Sequence, residues 1–267
     1  MYDIQIGIPC GPNSEHYANF LINSIERTIS RKLSYEYVIG INKDNVNRDL
    51  IQKDLDVDNI VYRERVSSHD GSRGHGDCLN LIFESMTSKY GVLVDSDVAF
   101  LCKNWDAIMI GELDSSTVMI GSEYHPSDGK MINRPNVITC AFDNTVLKQL
   151  SVDFMPSMKR LVADEDMTRI FGCSLSQTFF LDTGCDMIKQ VIDAGYTTKT
   201  LKLASPRYDD THDMIRFMKM DLKGEEYLLG DNVICTHIGR SLSRDFKTDP
   251  YVSSWKDAVC EWLDGKV

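Results

Sequence analysis

Segments with strand and helix patterns alternate over the front part of this 267-residue chain, residues 3–101. The helical segments carry apolar residues on one face, as Tyr17, Leu21 and Ile25 do, and the strand-like segments between them are largely apolar. Strands that alternate with helices form mostly parallel sheets covered by those helices. The pattern therefore predicts an α/β domain with a mostly parallel central sheet flanked by helices.

The predicted strands of this part are 3–10, 35–41, 59–66 and 91–101. Ser14 is expected to cap the first helix, and 48–55 is predicted as a short second helix. A polar, glycine-rich loop over 67–76 is expected to lead into the third helix, with His69 and His75 at the surface of the loop. The glycines of this loop would let the backbone approach a ligand closely.

The regular alternation ends after residue 101. The later part of the chain is predicted to contain strands at 117–122 and 137–142, and helices at 185–194, 211–220 and 251–263. No linker, repeat or low-complexity tract divides the sequence. We therefore expect one domain over residues 1–267, with a front half, 1–101, and a back half, 102–267.

The overall charge restricts the classes of ligand. The net charge is -11 and the hydrophobic content is 42%, which is enough to fill a sizeable core. A strongly acidic surface disfavours broad electrostatic binding to nucleic acid or to an anionic membrane. A polyanionic ligand would therefore need local basic groups or a metal ion.

The N-terminus and the cysteines bear on the compartment. The first residues pass directly into a strand pattern without the features of a secretory signal, and no apolar run is long enough to span a bilayer. The eight cysteines include no C-x-x-C pair, and several lie inside apolar runs. The expected protein is soluble and cytoplasmic, with buried thiols in a reducing compartment.

The stretch G-V-L-V-D-S-D-V-A-F-L, residues 91–101, places Asp95 and Asp97 inside an otherwise apolar strand. A strand buried on both faces tolerates such charges only if something compensates them. In open α/β sheets ligands bind beyond the carboxyl ends of the strands, and the two carboxylates lie where the fourth strand is expected to end. One of them can bind a divalent cation directly, while the other acts through water or holds a sugar hydroxyl.

This arrangement resembles the GT-A class of nucleotide-sugar-dependent glycosyltransferases, and the family 2-like members in particular. The similar features are a strand ending in Ile8-Pro9, three β/α units and an apolar strand with an Asp-x-Asp motif. The resemblance implies a single Rossmann-like GT-A domain whose front half binds the nucleotide sugar and whose back half binds the acceptor. It also implies metal-dependent transfer of a sugar from a nucleoside diphosphate sugar, with a UDP-sugar as the expected donor, to a hydroxyl acceptor.

The stretch V-I-C-T-H-I-G-R-S, residues 233–241, carries a second similarity to metal-dependent members of this class. It implies that His237 completes the metal site, with Mn²⁺ or Mg²⁺ as the cofactor, and that a small-residue turn containing Gly239 closes on the diphosphate. The alternative for His237 is a strand-end histidine bonded to backbone. The expected metal ligands are Asp95, Asp97 and His237. Asp95, Ser96, Arg240 and Ser241 are expected to bind the donor nucleotide, with Arg240 and Ser241 at the diphosphate.

Further donor contacts are expected from the front half. Pro9, Asn42 and Asp44 would cradle the base and ribose, and Arg73 would reach a phosphate or sugar. Asp77 is either a sugar contact or the N-cap of the third helix.

The acceptor side is represented by F-F-L-D-T-G-C-D, residues 179–186. Asp182 lies where inverting family members carry the acid that deprotonates the acceptor, although their usual Glu-Asp pair is absent. Asp182 is therefore the expected catalytic base, and the alternatives are a contact to a sugar hydroxyl or a helix cap. The acidic run 164–166 is a rival base, and the cluster of acids and histidine at 209–213 is explained by capping of a helix start.

Three other functions are considered. Haloacid-dehalogenase-type phosphatases also have an Asp-x-Asp after a strand, but near the N-terminus and with Thr or Val where this chain has Ala99. A nucleotidyltransferase would need a glycine-rich, basic loop after the first strand, and 11–13 is short and uncharged. A non-catalytic sugar- or nucleotide-binding module would bind the same ligands without turnover.

Overall fold

A computed structural model describes residues 2–157, 159–218, 224–239 and 244–266. Its strands are β1 (Ile4–Cys10), β2 (Tyr35–Ile41), β3 (Ile60–Glu64), β4 (Tyr90–Val94), β5 (Val98–Phe100), β6 (Thr117–Ser122), β7 (Thr139–Asp143), β8 (Arg160–Val162), β9 (Thr178–Phe180), β10 (Thr197–Ala204), β11 (Glu225–Leu229) and β12 (Asn232–His237). Its helices are α1 (Glu15–Thr28), α2 (Arg48–Gln52), α3 (Gly71–Ser85), α4 (Trp105–Gly111), α5 (Asn144–Leu150), α6 (Glu165–Phe171), α7 (Cys185–Asp193) and α8 (Pro250–Leu263). Short 3-10 helices span Pro126–Asp128 and Asp209–Met214.

The described residues form a ten-stranded sheet in the order β3-β2-β1-β4-β7-β6-β10-β11-β12-β5, and β8 pairs with β9 separately. Strands β3, β2, β1 and β4 are mutually parallel, as are β6 and β10. The remaining neighbours are antiparallel; β11 and β12, for example, are joined by the two residues 230–231, which permits only a hairpin. The predicted α/β class is confirmed, with the parallel pairing concentrated in the front part.

Helices cover both faces of the parallel strands. Along β1 the side chains of Ile4, Ile6 and Ile8 pack with α1, whereas Gly7 faces α3 on the other side. Both faces of these strands are buried, which explains why their sequences lack a polar alternation. The helix α8 packs through Trp255 into a third apolar cluster. None of the described helices is long and apolar enough to cross a bilayer.

The predicted strand 91–101 is divided by a turn at residues 95–97. Its first part, β4, lies parallel to β1, and its second part, β5, pairs antiparallel with β12. The backbone N–H of Ile238 donates to the carbonyl of Asp97 at 3.2 Å. The turn therefore carries the two aspartates from the end of the parallel strands to the end of β12.

The predicted loop over 67–76 is wrong in its second part, because α3 begins at Gly71. A Cβ on Gly74 would lie 2.7 Å from the carbonyl oxygen of His69, and one on Gly76 would lie 3.0 Å from that of Phe154. These glycines thus allow close backbone approach within a helix rather than a loop. Asp77 is not the N-cap, since Asp70 precedes the helix.

The predicted helix 211–220 is also wrong over 215–218, and residues 219–220 lie outside the described part. The carboxylate of Glu226 accepts the backbone N–H groups of Arg216, Phe217 and Met218, at 2.5, 2.7 and 2.8 Å. These donors are satisfied by a side chain, so the segment does not need a helix to pair them.

A first prediction concerns packing between β4 and β7. Gly91 faces the buried ring of Phe142, and a Cβ at this position would overlap that ring. Gly91→Ala should destabilise the fold by about 1–3 kcal/mol through overpacking, and lower the melting temperature by several degrees. The matched control is Gly111→Ala at the end of α4, where a Cβ would meet no atom within 4 Å. Equal melting temperatures for the two variants would contradict the packing described here.

Candidate functional site

A pocket of about 730 Å³ opens at the carboxyl ends of β1, β2 and β4. It lies where ligands bind in open α/β sheets. Six of the residues that the sequence predicts as donor or metal contacts line it: Pro9, Asn42, Asp95, Ser96, Asp97 and His237.

Two carboxylates and one imidazole meet at the floor of this pocket. Asp95, Asp97 and His237 each offer a ligand atom within 4.8 Å of the others, and His237 Nε2 lies 3.3 Å from Asp97 Oδ1. Asp95 and Asp97 come from the turn between β4 and β5, and His237 ends β12, where it is in register with Val98 of β5. The split strand and its new neighbour thus bring sequence-distant ligands together.

Among the described residues, the polar contacts of the His237 ring are to the side chains of Glu225 and Asp97 and not to the backbone, as the alternative interpretation would require. Its Nδ1 lies 2.9 Å from Glu225 Oε2, and a carboxylate at neutral pH can only accept, so Nδ1 carries the proton. Nε2 is therefore the nitrogen that faces Asp97 and the pocket.

The pKa of His237 reflects the negative charge around its ring. Burial lowers the pKa of His237, but the carboxylates of Asp97 and Asp95 outweigh it and raise the pKa. The two carboxylates thus favour positive charge beside Nε2, and a divalent cation held by Asp95, Asp97 and Nε2 would supply it.

His75 is part of the same cluster, although the sequence placed it at a loop surface. Its Nε2 lies 3.0 Å from Asp95 Oδ1. Burial lowers the pKa of His75, yet the carboxylates of Asp95, Asp182 and Asp97 together raise it. The sequence prediction missed this contact because it began α3 too late in the chain. His75 lies one helical turn into α3, and its ring lines the pocket.

The residues present fit a divalent cation. Asp95 Oδ1 is buried, and with His75 Nε2 at 3.0 Å it lies inside the same cluster as the ligand atoms of Asp97 and His237. Two carboxylates with one neutral imidazole form an oxygen-rich set that suits Mn²⁺ or Mg²⁺. The cluster is the candidate metal site.

The other expected donor contacts are dispersed. Asp44 lines a separate pocket of about 220 Å³, and Arg73 is exposed on α3 outside the main pocket. Asp77 accepts from Ser67 Oγ at 2.5 Å and contacts His69 Nδ1 at 2.8 Å, and these contacts connect α3 to the preceding loop. Arg240 and Ser241 lie outside the described residues.

Asp182 lies between β9 and α7 with its side chain 15% exposed. Lys130 Nζ is 2.6 Å from Oδ2, and the backbone N–H of Thr183 donates to Oδ1 at 2.8 Å. Burial raises the pKa of Asp182, but Lys130 and these hydrogen bonds outweigh it and lower the pKa. The N-cap of α7 is Gly184, so a capping role for Asp182 is not observed.

The rival acids have structural partners. Asp164 caps α6 by accepting from Met167 N at 2.8 Å, and Asp166 pairs with Arg169. Asp210 is exposed and contacts His125 Nε2 at 2.9 Å. Asp182 is less exposed than the acids of either rival cluster, and it has an electrostatic effect on His75.

No protein-family model and no curated protein sequence matches this chain. Among solved structures, the galactosyltransferase LgtC in complex with donor and acceptor sugar analogs is similar over 98% of this chain and 95% of its own, at 11% identity and a TM-score of 0.54. The mannosyltransferase PcManGT from Pyrobaculum calidifontis, in complex with GDP-Man and Mn²⁺, is similar over 74% of this chain at 13% identity and a TM-score of 0.51. The chain spans about half of that enzyme, 54% of its length. With its sheet order, the position of its pocket and these likenesses, the chain has the GT-A fold of nucleotide-sugar-dependent glycosyltransferases.

Proposed function

We propose that this protein is a metal-dependent glycosyltransferase that moves a sugar from a nucleoside diphosphate sugar, with UDP as the expected nucleotide, to a hydroxyl acceptor. The observation that carries the proposal is the cluster of Asp95, Asp97 and His237 at the floor of the pocket. The complexes of the two structural neighbours, one with GDP-Man and Mn²⁺ and the other with donor and acceptor sugar analogs, support the same chemistry.

The charges around the pocket favour a cation as the diphosphate partner. Lys43 lines the pocket, but its Nζ is bonded to the carbonyl of His69 at 2.9 Å and to Asp70 at 2.7 Å. A bound Mn²⁺ or Mg²⁺ would neutralise the charge that develops on the departing diphosphate. Asp95, Asp97 and His237 would hold it, and Arg240 and Ser241 are proposed to contact the diphosphate beside it.

The front half would bind the nucleotide. Pro9 and Asn42 line the pocket at the ends of β1 and β2, and Asn42 Nδ2 donates to the carbonyl of Gly74 at 2.5 Å. This bond fixes the end of β2 against α3 and defines the wall that would face the base and ribose. Asp44, Arg73 and Asp77 do not line this pocket, and we propose them only as additional donor contacts.

On the acceptor side, we propose that Asp182 takes the proton from the acceptor hydroxyl. Lys130 keeps Asp182 ionised, which a base requires, and Asp182 acts electrostatically on His75 at the edge of the pocket. We also propose a cytoplasmic location, which the unpaired cysteines support, since six of them are buried.

The test is a panel of UDP- and GDP-sugars with and without Mn²⁺, measured by thermal shift and by release of the nucleoside diphosphate. A donor should raise the melting temperature only with the cation, through ligand linkage. Turnover with a sugar acceptor would support transfer. Release of inorganic phosphate from phosphomonoesters instead would support a phosphatase, and binding without turnover would support a non-catalytic module.

A prediction for His237 follows from its place in the cluster. His237→Ala should weaken Mn²⁺ binding by roughly tenfold or more, since losing a ligand should cost at least as much as losing the group that orients it. Isothermal titration with Mn²⁺ measures this, and His212→Ala is the control, because His212 lies on a 3-10 helix and does not line the pocket. Equal titrations of His237→Ala and parent would return His237 to a structural role.

A further inference from the structure

We infer that Glu225 is a positioning residue, whose carboxylate fixes the His237 ring so that Nε2 points to Asp97 and to the cation. The inference rests on the proposed function, which it deepens by naming the group that prepares the metal ligand. Nothing in the sequence E-E-Y-L-L distinguishes Glu225 from a surface acid at the start of a strand.

The hairpin of β11 and β12 produces the contact. Glu225 and His237 are directly opposite each other in the antiparallel pairing, at the open end of the hairpin. Directly opposite residues project to the same face of a sheet. Their side chains therefore meet, with Glu225 Oε2 2.9 Å from His237 Nδ1, and both are largely buried at 12% and 13% exposure.

The carboxylate is itself held from two other directions. Tyr227, two residues along the same strand, donates its hydroxyl to Glu225 Oε2 at 2.8 Å, and Arg207 forms an ion pair with Oε1. Arg207 also offsets the charge of Glu225, so this carboxylate adds little unpaired negative charge beside His237. The Glu225 carboxylate that orients the imidazole is thus itself fixed by its contacts with Tyr227 and Arg207.

The chemical consequence is a choice between the two ring nitrogens. A carboxylate accepts hydrogen bonds only, so it stabilises the proton on Nδ1 and leaves the lone pair of Nε2 for a cation. Metal-binding histidines commonly have such a carboxylate partner, and its loss typically weakens metal affinity by roughly 10–100-fold. Without Glu225 the ring could rotate and carry its proton on the nitrogen that faces the pocket.

The experiment compares Mn²⁺ affinity, by isothermal titration, in the parent, Glu225→Gln, Glu225→Ala and Tyr227→Phe. Glu225→Ala should bind Mn²⁺ roughly 10–100-fold more weakly. Glu225→Gln retains an acceptor oxygen of nearly the same shape and should fall between the parent and Glu225→Ala. Tyr227→Phe removes one of the two groups that hold the carboxylate but leaves its contact with His237, so it should bind Mn²⁺ more tightly than Glu225→Ala does. The control is Glu261→Ala, which makes the same change of charge at an exposed position on α8 and should bind Mn²⁺ as the parent does.

A second measurement does not depend on the metal or on activity. Nitrogen-15 NMR of the metal-free protein, at a pH where the His237 ring is neutral, should show the proton on Nδ1 in the parent and a shift towards Nε2 in Glu225→Ala. Unchanged Mn²⁺ affinity or an unchanged tautomer in Glu225→Ala would overturn the inference. A parent that binds no Mn²⁺ would overturn the metal dependence of the proposed function as well, whereas a parent that binds it while Glu225→Ala binds equally would overturn this inference alone. Circular dichroism and the near-isosteric Glu225→Gln variant separate these outcomes from a loss of folding.

Discussion

Replacing Asp97 with Asn should abolish Mn²⁺-dependent binding of a nucleoside diphosphate sugar while the fold stays intact. The carboxylate lies 3.3 Å from His237 Nε2, so its loss would remove a metal ligand and part of the negative field that attracts the cation. A neutral amide in this turn carries no charge that must be buried, so we expect the melting temperature of the metal-free protein to stay close to that of the parent. Titration of UDP and GDP into the protein with and without Mn²⁺ measures the effect.

The control for this variant is Asp49→Asn, which makes the same change of charge at an exposed position on α2. It should leave the Mn²⁺-dependent affinity unchanged. If Asp97→Asn bound the nucleotide in Mn²⁺ as tightly as the control does, Asp97 would not be a metal ligand.

Replacing Asp182 with Asn should lower the transfer rate by about a hundredfold or more, the effect expected for loss of a general base, with little change in donor affinity. The two quantities separate because the donor would be held by Asp95, Asp97 and the cation. A parallel fall in donor affinity would indicate that Asp182 binds the donor sugar. Unchanged rate and affinity, with a melting temperature lower by a few degrees, would indicate a structural role.

The ion pair with Lys130 allows a sharper test of the same base. A base acts only when it is deprotonated, and Lys130 helps to keep the pKa of Asp182 below its usual value. Lys130→Gln removes this effect, so the pKa of Asp182 should rise and the acid limb of the kcat/KM profile should move to higher pH. An acid limb at the same pH in Lys130→Gln and parent would exclude Asp182 as the titrating base.

The sequence was sufficient for those parts of the fold that local patterns determine. Strand β2 has the predicted bounds, and the predicted cluster of Asp95 and Asp97 with His237 is present. The apolar run around the aspartates indicated a buried strand end, and the histidine lay at the end of another apolar run. Residues next to them in the chain mark the aspartates, whereas His237, far along the sequence, is assigned to the same site through the resemblance to metal-dependent GT-A enzymes.

The wrong predictions have a common physical cause. In each case residues distant in the chain make the contacts that determine the local structure. Gly74 and Gly76 suggested a loop, but their lack of side chains serves contacts with the backbones of His69 and Phe154. Residues 215–218 had the pattern of a helix, yet Glu226 takes their N–H groups. The role inferred for Glu225 could not be predicted either, because it depends on the register of β11 against β12. Strand alternation could at most have indicated that one of the two adjacent glutamates points inwards.

The pairing of β5 with β12 has a consequence for how the protein folds and opens. Asp97 and His237 meet only after this pairing has joined segments far apart in the chain, and forming such contacts requires closure of a long loop, with a large cost in conformational entropy. A chain that has formed only its front strands would therefore have no complete cation site. Once the pairing exists, a bound cation would oppose local opening of the β11–β12 hairpin, because opening releases a ligand. Amide hydrogen exchange in β12 should then slow as the cation concentration rises, while exchange in β2, which is remote from that pairing, should change far less.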